Sequence, residues 1–245
     1  MTAIKTERLR KVYQDLVAVD DLDLSIEEGE LFALLGVNGA GKTTTLKLLT
    51  GLAKPTSGDA KLCGYSILTD RDRIKEIVDI SMQETSIARK LTVAENIDFY
   101  AELCGKTKKE REEIKKFLTD AFGFAPVLSK QAQKLSGGWQ RKLSIALSLI
   151  SNPKILFLDE PTLGLDVIAR RELWETISSL KGKMTIILTT HYMEEAEALS
   201  DRLGIMKDGK LLFVGKKEEL FALTKKASVE DAFIELVTKK GGAAQ

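Results

Sequence analysis

The sequence predicts an α/β fold: a sheet core carrying a glycine-rich loop, a small antiparallel β layer ahead of it, and an α-helical block inserted mid-chain. Three observations predict it. The apolar run Leu31-Phe32-Ala33-Leu34-Leu35 leads into Gly36-Val37-Asn38-Gly39-Ala40-Gly41-Lys42-Thr43-Thr44 and then into Leu46-Lys47-Leu48-Leu49 at helical spacing, which is a strand, a loop and a helix. Two later runs, Ile155-Leu156-Phe157-Leu158 and Met184-Thr185-Ile186-Ile187-Leu188-Thr189-Thr190, read as buried strands with polar residues at their ends. Between the loop and those runs, residues 92–150 turn to helical spacing. A single domain over 1–245 is expected, with a core from 1–90 and 151–225, a helical subdomain over 91–150, and a short helix and tail over 226–245.

With 245 residues, 44% hydrophobic and 30% charged, the chain can bury one sizeable core. Its 37 Lys and Arg against 36 Asp and Glu leave a net charge of +1, which gives no global electrostatic reason to bind nucleic acid or an anionic bilayer. Cys63 and Cys104 fit no metal-ligand or redox spacing, so a reducing compartment and two small buried side chains are expected. The start, Met1-Thr2-Ala3-Ile4-Lys5, lacks an apolar signal core, and no window approaches a membrane-spanning length of uninterrupted apolar residues. A cytosolic chain that spans no membrane is expected.

Residues 1–35 alternate β-like runs with polar breaks, at 3–12, 16–19, 22–26 and 30–35, with Glu27-Glu28-Gly29 as a turn signal. They predict the antiparallel layer ahead of the loop. Tyr13 lies in it; a ring near the loop can stack on an adenine face for about 1 kcal/mol, and by position alone it is a core or a surface residue. Gly36, Gly41, Lys42 and Thr43 match the phosphate-binding spacing G-x-x-x-x-G-K-[ST]. In that pattern backbone amides and a helix N-terminus face a polyphosphate, a lysine neutralises its outer charge, and glycines let the backbone approach. Gly36, Asn38, Gly39, Ala40, Gly41, Lys42, Thr43 and Thr44 are therefore the candidate contacts. A helix over 44–52 closing at Gly51, a turn Lys54-Pro55-Thr56-Ser57-Gly58 and a strand over 59–62 follow. A second strand over 77–82 ends at Gln83, whose side-chain oxygen can reach a metal or a water at the carboxyl edge of an open sheet.

Helical spacing begins at Val93-Ala94-Glu95-Asn96-Ile97, and the charge run over 106–116 reads as a solvated helix face. Leu135-Ser136-Gly137-Gly138-Trp139-Gln140-Arg141 then runs into the stripe Leu143, Ala146, Leu147 and Ile150. Ser136 is an expected N-cap, and two glycines leave the first amides open to an anion; taken alone, however, the stretch reads first as an ordinary capped helix. The strand at 155–158 ends in Asp159 and Glu160, and carboxylates at a buried strand end are costly unless paired or bound to metal. Asp159 is the candidate magnesium ligand and Glu160 the candidate base for an attacking water. After the loop Pro161-Thr162-Leu163-Gly164-Leu165-Asp166, a helix is expected over 167–180. The strand over 184–190 delivers His191, the chain's single histidine, to the same sheet edge; a structural and an active-site role are both open there. A hairpin with Asp208-Gly209 at its turn, a helix over 228–236 opened by Ser228 and Asp231, and a frayed tail over 239–245 complete the reading.

The ordered set of phosphate loop, Gln83, Leu135-Ser136-Gly137-Gly138, Asp159-Glu160, Gly164-Leu165-Asp166 and His191 resembles the nucleotide-binding subunit of ATP-binding cassette (ABC) transporters, over about residues 4–236. Leu-Ser-Gly-Gly ahead of the acidic strand is the specific part. The resemblance implies a RecA-like P-loop NTPase core with ATP and Mg2+ as cofactors, and it assigns roles by match. Tyr13 is the adenine-stacking residue, Thr43, Gln83 and Asp159 surround the metal, Glu160 is the general base, and His191 is the switch residue at the γ-phosphate. It implies a homodimer with two ATP sandwiched, in which Ser136, Gly137 and Gly138 face the γ-phosphate in the partner's site and Asp166 is the dimer-contact aspartate near the nucleotide. It further implies an integral membrane permease as partner, a place on the inner face of the cell membrane, and the exporter branch that handles drugs, lipids, polysaccharides or sodium. Trp139 and Val37 depart from the commonest signature and loop, which have glutamine and proline there. A soluble relative acting in translation or DNA repair is the alternative, and would favour two cassettes, a coiled-coil insertion or a basic surface.

Overall fold

A computed structural model describes residues 1–238 of the chain. The expected frayed tail over 239–245 lies outside the described residues. The first strands are β1 (Thr2–Tyr13), β2 (Leu16–Leu22), β3 (Ser25–Glu27) and β4 (Leu31–Leu35), followed by helix α1 (Lys42–Leu49). Next come β5 (Ser57–Leu62), β6 (Tyr65–Ser66), α2 (Arg71–Ile77) and β7 (Val78–Ser81), then the helices α3 (Val93–Leu103), α4 (Lys108–Phe122) and α5 (Gly137–Ser148). The remainder is β8 (Ile155–Asp159), α6 (Val167–Leu180), β9 (Thr185–Thr190), α7 (Met193–Leu199), the hairpin β10 (Arg202–Lys207) and β11 (Lys210–Gly215), α8 (Lys217–Thr224) and α9 (Val229–Thr238).

Two sheets result. One is antiparallel, with β1 at its centre pairing β2, β3 and β5. The other has six strands in the order β11-β10-β4-β9-β8-β7, parallel from β10 to β7. Every residue of β4, β8 and β9 is buried, as a central parallel strand covered on both faces requires. Their alternate side chains enter two different cores. Leu31, Ala33, Leu35, Leu156 and Leu158 join the helices of 93–150 and α6, whereas Phe32, Leu34, Ile155 and Phe157 pack toward the antiparallel layer and α1. The stripe Leu143, Ala146, Leu147 and Ile150 is buried in the first of these.

Several boundaries differ from the sequence expectation. Of the four runs in 1–35, three build the antiparallel layer and the fourth is β4 of the parallel sheet. The run 22–26 does not form one strand: Leu22 closes β2 and β3 opens at Ser25, with the Thr6 hydroxyl bridging the break by donating to Leu22 O (2.6 Å) and accepting from Leu24 N (2.8 Å). Helix α1 starts at Lys42 because Gly41, with φ 106°, supplies its left-handed N-cap. Residue 77 ends α2, a helix of seven residues and too short to show a period, so β7 begins at Val78 and stops before Met82. The charge run is the solvated start of α4, capped reciprocally by Thr107 and Glu110. Cys104 is exposed and Cys63 half-buried, against the expectation that both are buried. Each lies at the end of an element, Cys104 as the C-cap of α3 and Cys63 in the β5–β6 turn with φ 48°.

Candidate nucleotide site

Strand register brings the candidate chemistry to one edge. Leu35 lies opposite Thr190 and Asp159 opposite Thr189, so Gly36, Glu160 and His191 all follow directly from the carboxyl ends of adjacent parallel strands. Gly36 cannot be larger: a Cβ there would stand 2.6 Å from Met206 O and 2.9 Å from the Ala40 Cβ. At Gly41 a Cβ would overlap the Ala18 carbonyl, in addition to the strain of φ 106°. The backbone therefore passes too close to Met206 and Ala18 at these two positions for any side chain, and a helix N-terminus of this kind leaves its first amides available to an anion.

That cavity is about 450 Å³ and is lined by Asn38, Gly39, Ala40, Gly41, Lys42, Thr43 and Thr44 together with Tyr13, Gln83, Glu160 and His191. Leu16, Ala18 and Leu163 also line it and were not expected from the sequence, which carries no signal for them beyond their neighbours. Tyr13 is 43% exposed, so its ring is open to a ligand, and the Lys11 ammonium lies 4.7 Å from the ring centroid.

Two chains of polar contact cross the floor. In the first, the Thr43 hydroxyl lies 3.0 Å from both Asp159 carboxylate oxygens, and Thr189 donates to Asp159 Oδ1 at 2.6 Å. Asp159 is fully buried, with two hydroxyls as its partners. A hydroxyl and a carboxylate held together are hard oxygen donors, the type that magnesium takes alongside phosphate oxygens and water. In the second, the buried Lys42 ammonium donates to Gly36 O (2.8 Å) and Val37 O (3.2 Å) and stands 3.4 Å from Glu160 Oε1. The other Glu160 oxygen is 3.0 Å from His191 Nδ1. The backbone of Glu160 is left-handed, φ 46°, and is held by its N–H donating to the Thr189 carbonyl and hydroxyl, each at 3.1 Å. Consecutive residues thus diverge: Asp159 turns to Thr43 and Glu160 to Lys42 and His191.

Sequence reasoning missed Arg141. Its guanidinium is buried and donates to the carbonyls of Met82, Gln83 (3.2 Å), Asp159 (2.8 Å) and Pro161 (2.8 Å), tying α5 to the ends of β7 and β8. Burial lowers its pKa to about 10, still well above neutrality. A cation on an amphipathic helix gives no sign of such a role, because its acceptors are distant backbone carbonyls.

Ser136, Gly138 and Asp166 do not reach this cavity. They line a second one of about 280 Å³ with Trp139, Lys142 and Glu172, and Gly137 sits beside Leu165, where an added Cβ would come within 3.8 Å of its side chain. Ser136 takes the N-cap position of α5, but its hydroxyl makes no capping bond. Asp166 does cap α6, accepting from Ile168 N (3.0 Å) and Ala169 N (2.9 Å). Trp139 is half-buried against Phe124, with the Lys142 ammonium 4.9 Å from its ring.

Residues 19–163 match the family described as ABC transporter. The human protein named Phospholipid-transporting ATPase ABCA3 is 43% identical over 219 residues, covering 88% of this chain and 13% of that protein. The Escherichia coli K12 protein named Probable multidrug ABC transporter ATP-binding protein YbhF is 36% identical over 242 residues, covering 96% of this chain and 42% of that protein. The chain thus spans less than half the length of these curated relatives. A solved structure described as the ATP binding subunit of an ABC transporter superposes with a TM-score of 0.85 at 27% identity, covering 97% of this chain and 100% of that one. Fold, motif order and sequence agree: the chain belongs to the ABC transporter family and is a nucleotide-binding domain of it.

Proposed function

We propose that the chain hydrolyses Mg2+-bound ATP and that the work drives export through a separate membrane permease. The observation that carries the reading is the line Lys42–Glu160–His191 beside the Thr43–Asp159 pair, at the mouth of the phosphate loop. Lys42 and the loop amides hold the β- and γ-phosphates, Thr43, Asp159 and Gln83 surround the metal, and Tyr13 stacks on the base. Glu160 takes the proton of the attacking water, and His191 steadies Glu160 and the γ-phosphate. Magnesium, when bound, offsets charge on the transferring phosphoryl group.

Ser136, Gly137, Gly138 and Asp166 lie outside this cavity, which supports the reading that they serve the nucleotide of a second copy in an ATP-bound homodimer. The N-terminus of α5 then supplies part of the positive field on that phosphate. No helix among the described residues is long and apolar enough to cross a membrane, and the permease and a place on the inner face of the cell membrane belong to this proposal. The names of the two relatives, one phospholipid-transporting and one a probable multidrug transporter ATP-binding protein, support an exporter with an apolar or amphipathic substrate.

Two outcomes are expected. Phosphate release from ATP by the purified chain should require magnesium and stop on chelation; release unchanged in excess chelator would remove Thr43 and Asp159 from the mechanism. The surface over residues 83–94 should cross-link to the co-purified permease. It joins the end of β7 to α3 and is pinned by Asn96, which accepts from Ala88 N (2.8 Å) and donates to Thr92 O (2.8 Å). Arg141 grips its first residue, Gln83. Cross-links confined to α9 would count against this coupling surface.

A further inference from the structure

Glu195 is a fully buried carboxyl on α7 for which the roles above have no use. Its Oε1 accepts the Trp174 indole N–H from α6 at 3.0 Å. The hydroxyls of Thr162 and Thr190 and the charge of Arg170 act on the same carboxyl. Thr162 comes two residues after Glu160 and Thr190 immediately before His191, so three segments converge on this one group. Glu195 Oε2, Thr162 Oγ1 and Arg170 Nε are buried, and among the described residues none of the three makes a hydrogen bond of full geometry, so the Thr162 hydroxyl acts on the carboxyl by proximity. They form a complementary set of one acceptor and two donors. The histidine turn has further contacts of its own. Tyr192 N donates to Thr190 Oγ1 (2.9 Å), the Arg170 guanidinium lies 4.4 Å from the Tyr192 ring centroid, and that ring is 4.2 Å from the His191 ring.

We propose that Glu195 is a positioning residue, whose buried carboxyl clamps the turn after β8 and the turn after β9 against α6 and so holds His191 against Glu160. The proposal rests on the reading of Glu160 and His191 as the hydrolytic pair. A buried acid is a poor device for stability alone, because desolvation opposes it and an apolar side chain of the same size would fill the space without that cost. Burial pushes this carboxyl up, opposed by the Thr190 and Thr162 hydroxyls, the Trp174 indole and Arg170. The polar partners are drawn from the catalytic turns and from the helix that Asp166 caps, so motion of α6 reaches the histidine through this joint.

The test uses the single histidine of the chain, since isotope-labelled histidine in untagged protein gives one imidazole signal. In nucleotide-free protein, Glu195→Gln and Glu195→Ala should shift that signal toward its position in Glu160→Gln. Trp174→Phe, which removes one donor, should shift it less. Turnover should fall about tenfold or more in the Glu195 variants while KM for ATP stays within about twofold, as misplacement of a catalytic pair predicts. Leu180→Ala, at the far end of α6, serves as a control that lowers the melting temperature and leaves the imidazole signal and turnover unchanged. An unshifted imidazole signal in both Glu195→Gln and Trp174→Phe would overturn the proposal, as would turnover that falls only with the folded fraction. Because the signal is read without nucleotide, a wild-type chain with no turnover would defeat the hydrolytic reading and still leave the positioning decided.

Discussion

Lys42→Ala is expected to weaken ATP binding by about tenfold or more and to abolish hydrolysis. Lys42 is 4% exposed, and its ammonium sits among Gly36 O, Val37 O and Glu160 Oε1 at the cavity that the phosphate loop lines. A buried cation facing two phosphates is poorly replaced by water, and truncating one partner of such a charge pair costs about 2–5 kcal/mol. Hydrolysis loses more than binding, since charge builds on the phosphoryl oxygens in the transition state. Equilibrium nucleotide binding and phosphate release, measured on the same preparation, check both halves. Wild-type turnover in this variant would remove the phosphate loop from the mechanism.

Glu160→Gln should keep ATP binding and lose about a hundredfold to ten-thousandfold in turnover, the usual effect of removing a positioned base. Glutamine matches glutamate in size and can still accept from His191 Nδ1, yet it cannot take up a proton as a carboxylate does. The phosphate loop and the Thr43–Asp159 pair are untouched, so binding survives. Loss of a negative charge beside the γ-phosphate also reduces like-charge repulsion, and an ATP-bound species of twice the monomer mass should accumulate. Gel filtration with light scattering in ATP and magnesium reads that mass. A dead variant that remains monomeric would leave the base assignment standing and discard the sandwich dimer.

What was legible in the sequence shares a physical cause. Gly36 and Gly41 were legible because the loop pattern stands at fixed local spacing, although the backbone that forbids a Cβ there, at Met206 and Ala18, is brought in by the fold. The placement of Asp159, Glu160 and His191 was legible because buried strands with apolar centres deliver polar residues to one edge, and the pairing of β4, β9 and β8 then brings them together. The expected helix over 167–180 matches α6, whose cap Asp166 and apolar stripe are both local. Arg141 and Glu195 were not legible. Their partners lie between 18 and 59 residues away for Arg141 and 21 residues away for the Glu195–Trp174 bond, and on an amphipathic helix a buried charge looks like a solvated one. Helices α2 and α7, of seven residues each, were too short for periodicity to declare them.

The central claim is that Glu160 performs the chemistry at a site whose binding parts are separate from it. It is tested most directly by phosphate release from saturating Mg2+-bound ATP, with wild type and Glu160→Gln measured side by side and bound nucleotide counted in each. The account predicts equal ATP occupancy and a rate about a hundredfold or more lower in the variant. Near-normal release by Glu160→Gln at equal occupancy would contradict it and pass the base role to another group, with His191 the next to test.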